Sequence, residues 1–162
     1  MMGPDATSTT TASAFERFVG EVEPRLRRAL TATYGPTVGR EAALDALSWA
    51  WEHWDRMQQI DNRAGYLYRV GQSAATRLLS TRSGALLPPG PPMEAPEPTP
   101  ELAPALGRLS EQQRATVMLV HGYGMSLREV ADVLGISVST VREHVARGMD
   151  RLRAELEDRD DR

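Results

Sequence analysis

Ser139, Thr140, Arg142, Glu143, His144 and Arg147 bring hydroxyl, guanidinium, carboxylate and imidazole groups together near one end of the chain. Such groups near the start of a helix suit contacts to base edges and phosphates in a major groove. At 100° per residue, Ser139, Thr140, Glu143 and Arg147 point away from an apolar stripe of Val141, Val145, Met149, Leu152 and Leu156. Arg142 and His144 fall on the flanks of that stripe. A polar helix face alone is usually a solvated one, so the preceding residues decide what this face is for.

Those residues spell a helix-turn-helix. Ser126 and Glu129 have the spacing that satisfies free backbone N–H groups at a helix start. Val130, Ala131 and Leu134 share one face of the short helix behind them, which stops at Gly135, where glycine permits a left-handed turn. Ile136 plugs the turn and Ser137 caps the next helix. The small Ala131 and Gly135 let the two helices cross closely. Cap, turn and apolar spacing agree, and a plain helical hairpin is the lesser reading.

A second polar face lies in the first half. Asn62 caps a helix to about Leu79 with Leu67, Val70, Ala74 and Leu78 inward. Arg69, Gln72, Ser73 and Thr76 share a face, and Arg77 lies nearby. Upstream, a helix from about Val38 to Met57 sets Leu44, Leu47, Trp51 and Trp54 on a stripe expected to face a core. Glu41, Asp45, Ser48, Trp49 and Glu52 fall on the far side, so Trp49 sits among acids as a candidate interface anchor. A first helix from a cap at Ser13 to about Tyr34 carries Phe15, Phe18, Val19, Val22, Leu26 and Leu30, with Pro24 expected to kink or divide it.

Composition divides the chain. Eight of its eleven prolines lie between Pro88 and Pro104, a stretch that cannot form a packed core and should be an extended, stiff linker. The expected organisation is a disordered lead at 1–12, a helical domain at 13–82, a linker at 83–98, a helix-turn-helix domain at 99–157 and an acidic tail at 158–162. Thr99-Pro100 should open the second domain, and Ser110 with Gln113 forms a further capping box. That box leads a helix with Val117 and Val120 inward, ending at Gly122. No segment alternates like a strand, so the fold class is all-α.

All 19 basic residues are arginine, and the net charge is −3. A DNA reader this weakly charged needs a partner to hold it on DNA. There is no cysteine, no run long enough to span a membrane and no secretory pattern at the N-terminus, so a reducing cytoplasm is the expected compartment. His53, His121 and His144 lack a helical partner ligand at i+4, and Gly122-Tyr-Gly124 lacks the third glycine of a dinucleotide loop. No enzyme activity, metal or cofactor is expected.

Three N-terminal helices, a proline linker and a C-terminal helix-turn-helix together resemble a bacterial sigma factor of the sigma-70 family, in its short extracytoplasmic-function (ECF) group. The resemblance rests on Asn62-Arg-Ala-Gly-Tyr-Leu-Tyr-Arg-Val70, similar to the family's N-P-R-A-W-L-Y-R-I. It rests also on Leu109-Ser-Glu-Gln-Gln-Arg114 and the run Leu127 to Leu152. It implies a transcription initiation factor in the cytoplasm, at the nucleoid, with core RNA polymerase and promoter DNA as partners, room for an anti-sigma protein, and no membrane insertion. Asp45, Trp49 and Glu52 would dock on polymerase. Arg69, Gln72, Ser73, Thr76 and Arg77 would contact the minus-ten element, and Ser139, Thr140, Arg142, Glu143, His144 and Arg147 the minus-thirty-five element. Low net charge fits, because tethering through polymerase makes weak grips cooperative. Leu44-Asp45 replaces the family's usual Gln-Glu, and Ser73 and Arg77 stand where Asn and Asp are frequent. Two alternatives remain open. Ile136-Ser-Val-Ser-Thr-Val-Arg-Glu-His-Val145 is also close to the I-S-x-x-T-V-R-x-H-V of dimeric LuxR-type regulators, and a sigma-derived adaptor could bind polymerase without opening DNA.

Overall fold

A computed structural model describes residues 6–81 and 100–160, which form eight α-helices and one π-helical turn, with no strand among them. The linker expected at 83–98, and the cap expected at Thr99, lie outside the described residues. α1 spans Ala6–Tyr34, so helix begins seven residues before the expected start, and Ser13 lies inside it rather than capping it. Pro24 does not divide this helix. Val22, Leu26, Ala29 and Leu30 are buried on both sides of it, so one core holds both halves of α1 in line.

α2 spans Pro36–Glu52, and a break at His53 separates it from the single turn α3, Trp54–Met57. Gly35, at φ 85°, makes the corner between α1 and α2. α2 then packs against α1 and α4, with Gly39, Ala42, Ala43, Ala46 and Ala50 all buried. The approach is close enough that a Cβ on Gly39 would lie 2.5 Å from the Thr31 Cα. The expected core stripe is therefore corrected. Leu44 is 60% and Trp51 51% exposed, Leu47 is half-buried, and only Trp54 is buried as expected. The helix is turned by about one residue, because a seam of small side chains permits closer packing than large ones.

α4, Arg63–Thr81, crosses both helices with Gly65, Leu67, Tyr68, Gly71, Ala74 and Ala75 buried. Asn62 caps it as expected, its Oδ1 accepting from the Gly65 N–H at 2.9 Å.

In the second half, α5 spans Leu102–Gly107 and α6 Glu111–Val117, continued by the π-turn Met118–Gly122. Pro100 stands in the turn before α5 rather than in its first turn. α7 spans Leu127–Leu134 and α8 Val138–Asp160, so helix runs into the stretch expected as an acidic tail. Both capping boxes form, Ser110 with Gln113 and Ser126 with Glu129. Val117, Leu106, Leu109 and Leu152 make a small core between α5, α6 and α8. Val130, Val133, Leu134 and Val141, by contrast, join the same buried cluster as Leu26, Leu30 and Leu67. The two halves thus pack on each other.

Candidate nucleic-acid interface

The turn into α8 is built as its residues dictate. Gly135 adopts φ 68°, ψ 34°, the left-handed conformation that ends α7, and Ile136 tucks in half-buried. The Ser137 hydroxyl accepts from the Thr140 N–H at 3.1 Å and also bonds the hydroxyls of Thr140 and Ser139 at 2.7 and 2.9 Å. Val141 and Leu152 are buried, with Val145, Met149 and Leu156 half-buried, so the apolar stripe holds.

Opposite that stripe, Ser139, Arg142, Glu143 and Arg147 are exposed, while Thr140 and His144 are half-buried. Arg147 pairs with Glu143 at 2.6 Å one turn back. Both ends of this pair face solvent, so opening it to contact a phosphate costs little. Sequence reasoning missed Gly148, which is buried where α8 meets α6. A Cβ there would come within 2.7 Å of Val117 Cγ2. A glycine beside the stripe residue Met149 was the available signal.

On α4, Arg69, Ser73, Thr76 and Arg77 are exposed along one stripe. Ser73 and Thr76 donate to the carbonyls of Arg69 and Gln72, at 3.3 and 2.9 Å, leaving their lone pairs outward as acceptors. Gln72 is half-buried instead. With Tyr68 and Arg69 it lines a cleft of about 180 Å³, shared with Glu111, Gln112 and Ala115 of α6 and with Leu134, Gly135 and Ile136 of the helix-turn-helix. Thr33 Oγ1 donates to the Ala29 carbonyl at 2.9 Å, so the Tyr68 hydroxyl, 2.8 Å away, donates to Thr33. Burial pushes the Tyr68 phenol up to about 12.

On α2, Asp45 and Glu52 are exposed, but Trp49 is not the isolated surface ring expected. It is half-buried, stacked on His53 with centroids 4.3 Å apart and packed against Tyr66 at 5.5 Å. The large apolar groups on the solvent face of α2 are Leu44 and Trp51, flanking Ser48. Phe15 of α1 supports Trp51, their rings 4.9 Å apart. Among the described residues no group of His, Asp or Glu could hold a metal ion, and no helix is long and apolar enough to cross a membrane.

Residues 105–154 match the family description Sigma-70, region 4. Over 155 residues the chain is 30% identical to the RNA polymerase sigma-E factor of Streptomyces coelicolor, covering 90% of this chain and 88% of that protein. Solved structures are similar as well, among them the following. CnrH, in complex with the cytosolic domain of CnrY, has a TM-score of 0.56 and 25% identity, covering 93% of this chain and 94% of that one. The sigma factor RpoE of Bartonella quintana, in complex with the anti-sigma factor NepR, has a TM-score of 0.56. It covers 89% of this chain and 97% of that one, and at 21% identity its likeness is one of fold.

Proposed function

The chain belongs to the sigma-70 family of RNA polymerase sigma factors, in its extracytoplasmic-function group, and from that premise we propose how its surfaces divide the work of initiation. It joins core RNA polymerase in the cytoplasm, at the nucleoid, and directs it to specific promoters through two helical domains, residues 13–82 and 99–157. α8 reads the minus-thirty-five element through Ser139, Arg142, Glu143 and Arg147, with Thr140 and His144 at the edge of that face. α4 meets the minus-ten element through Arg69, Ser73, Thr76 and Arg77, with Gln72 beside them. α2 docks on polymerase through Asp45 and Glu52 together with the exposed Leu44 and Trp51, while Trp49 supports the helix from beneath. An anti-sigma protein is the regulatory partner that suits this assignment. The protein performs no catalysis of its own: polymerase supplies the chemistry, and the chain supplies position.

The observation that carries this assignment is the presence in one chain of two separate exposed faces that mix arginine with hydroxyl groups. One lies on a capped recognition helix and the other on a helix of the first half. Neither has the surplus positive charge of a protein that holds DNA unaided, with a chain net charge of −3. The test is association with purified core polymerase, followed by footprinting. The chain should bind core with one-to-one stoichiometry and protect two separated promoter elements only in that complex. Protection of a palindromic site by a dimer without polymerase would instead make it a LuxR-type reader.

A further inference from the structure

Arg69 of α4 and Glu111 of α6 line the same cleft, yet no ion pair joins them. Both are exposed, and among the described residues neither side chain has a hydrogen-bond or ion-pair partner elsewhere. The remaining charged group nearby, Arg114, is already committed to the Thr33 carbonyl at 2.9 Å. Between the two free charges the lining turns apolar, with Ala115 and Leu134 buried and Ile136 half-buried. The cleft thus offers one cation, one anion and an aliphatic floor. A free anion drawn to Arg69 would be repelled by Glu111, and a free cation would meet the reverse. A purely apolar molecule would strip water from both charges without replacing it. A small zwitterion with an aliphatic side chain satisfies all three surfaces at once. Size sets the upper limit, because about 180 Å³ falls below the roughly 300–1,000 Å³ of cavities that hold drug-sized ligands.

We propose that this cleft binds a free aliphatic α-amino acid of about the size of leucine. Its carboxylate accepts a forked pair of hydrogen bonds from the Arg69 guanidinium. Its ammonium donates to the Glu111 carboxylate, and its side chain lies against Ala115, Leu134 and Ile136. Gln112, exposed at the same cleft, adds an amide beside the ammonium end. So small a ligand, held partly at the surface, binds with a Kd on the order of 0.1–1 mM. Seating it has a consequence that rests on the functional assignment above. Arg69 is also assigned to the minus-ten element, so a bound amino acid holds a side chain that the promoter needs.

The test is an amide NMR titration of the full chain with L-leucine, leucinamide, which lacks the carboxylate, and 4-methylpentanoate, which lacks the ammonium. Leucine should give saturable shifts centred on Gly135 and Ile136, and each analogue should bind about tenfold more weakly. Arg69→Gln should bind leucine no better than leucinamide, and Glu111→Gln should bind it no better than 4-methylpentanoate. A merely structural role for either residue would not produce that pairing of variant with analogue. Absence of saturation at tens of millimolar leucine, or shifts centred away from the cleft, overturns the site. Equal affinity of the parent for all three compounds overturns the two-charge recognition. In transcription with core polymerase, leucine at roughly ten times its Kd should reduce the parent's transcript yield severalfold and leave that of Glu111→Gln unchanged. Equal parent yield with and without leucine overturns the consequence for promoter use. Absence of any transcript without leucine overturns the functional assignment instead, and is told apart because the NMR titration needs no polymerase.

Discussion

Thr33 ties three elements together: its hydroxyl joins α1 to Tyr68 of α4, and its carbonyl accepts from Arg114 of α6. Burial at that junction raises the Tyr68 phenol to about 12 in the folded chain against an ordinary value of 10.0. The stability contributed by keeping this phenol neutral is fully present below pH 10 and is lost as pH rises from 10 to about 12. The loss amounts to about 2–3 kcal/mol. Urea unfolding should record that decline in the parent and a shallower one in Tyr68→Phe, which should also cost about 1 kcal/mol at neutral pH for the lost bond. Parallel pH slopes would contradict the burial argument. Arg147 lives on the same scale. Its pairing with Glu143 is solvent-exposed and easily exchanged for phosphate or base. Arg147→Ala should lower transcription from a minus-thirty-five-dependent promoter roughly tenfold while leaving the melting temperature nearly unchanged, and equal transcript yield would remove Arg147 from the reading face.

Close helix crossings make opposite demands on two glycines. Gly39→Ala drives a Cβ against the Thr31 backbone and should destabilise by about 1–3 kcal/mol, seen as a melting temperature lower by several degrees. Gly20→Ala, inside α1 with nothing within 4 Å of the new methyl, should stabilise by about 0.5–1 kcal/mol. On α2, Trp51→Ala should weaken core binding with little change in melting temperature, whereas Trp49→Ala should cost stability by breaking its stack with His53 and Tyr66. The reverse pattern, measured by core titration and thermal melts, would restore the docking role to Trp49. Local signals made much of this architecture legible from sequence. The capping boxes at Ser110 and Ser126, the left-handed Gly135 and the 3.6-residue stripe of α8 depend on residues three or four apart and appear as expected, whereas the cap expected at Ser13 does not. The face of α2 did not, because hydrophobic periodicity follows the bulk of Leu44 and Trp51. The buried face is instead the one whose small residues, Gly39, Ala42, Ala46 and Ala50, let neighbouring helices approach closely. Gly148 was missed for a related reason: the surface of α6 that it meets lies far away in sequence.

At the scale of the whole molecule, composition leads to the expectation of two helical halves but cannot say how they meet. The Gly65–Gly135 approach and the Asn62–Asp132 bond join residues 70 positions apart and leave no periodic trace. On the proposed assignment, a weakly acidic chain with two modest DNA-contacting patches gains selectivity when a larger body holds both in register. In vitro transcription with purified core polymerase on genomic DNA fragments tests that claim most directly. The account predicts transcripts starting at a small set of shared promoter sequences when the chain is present, and none from those sites when it is omitted. An identical transcript pattern with and without the chain would contradict it.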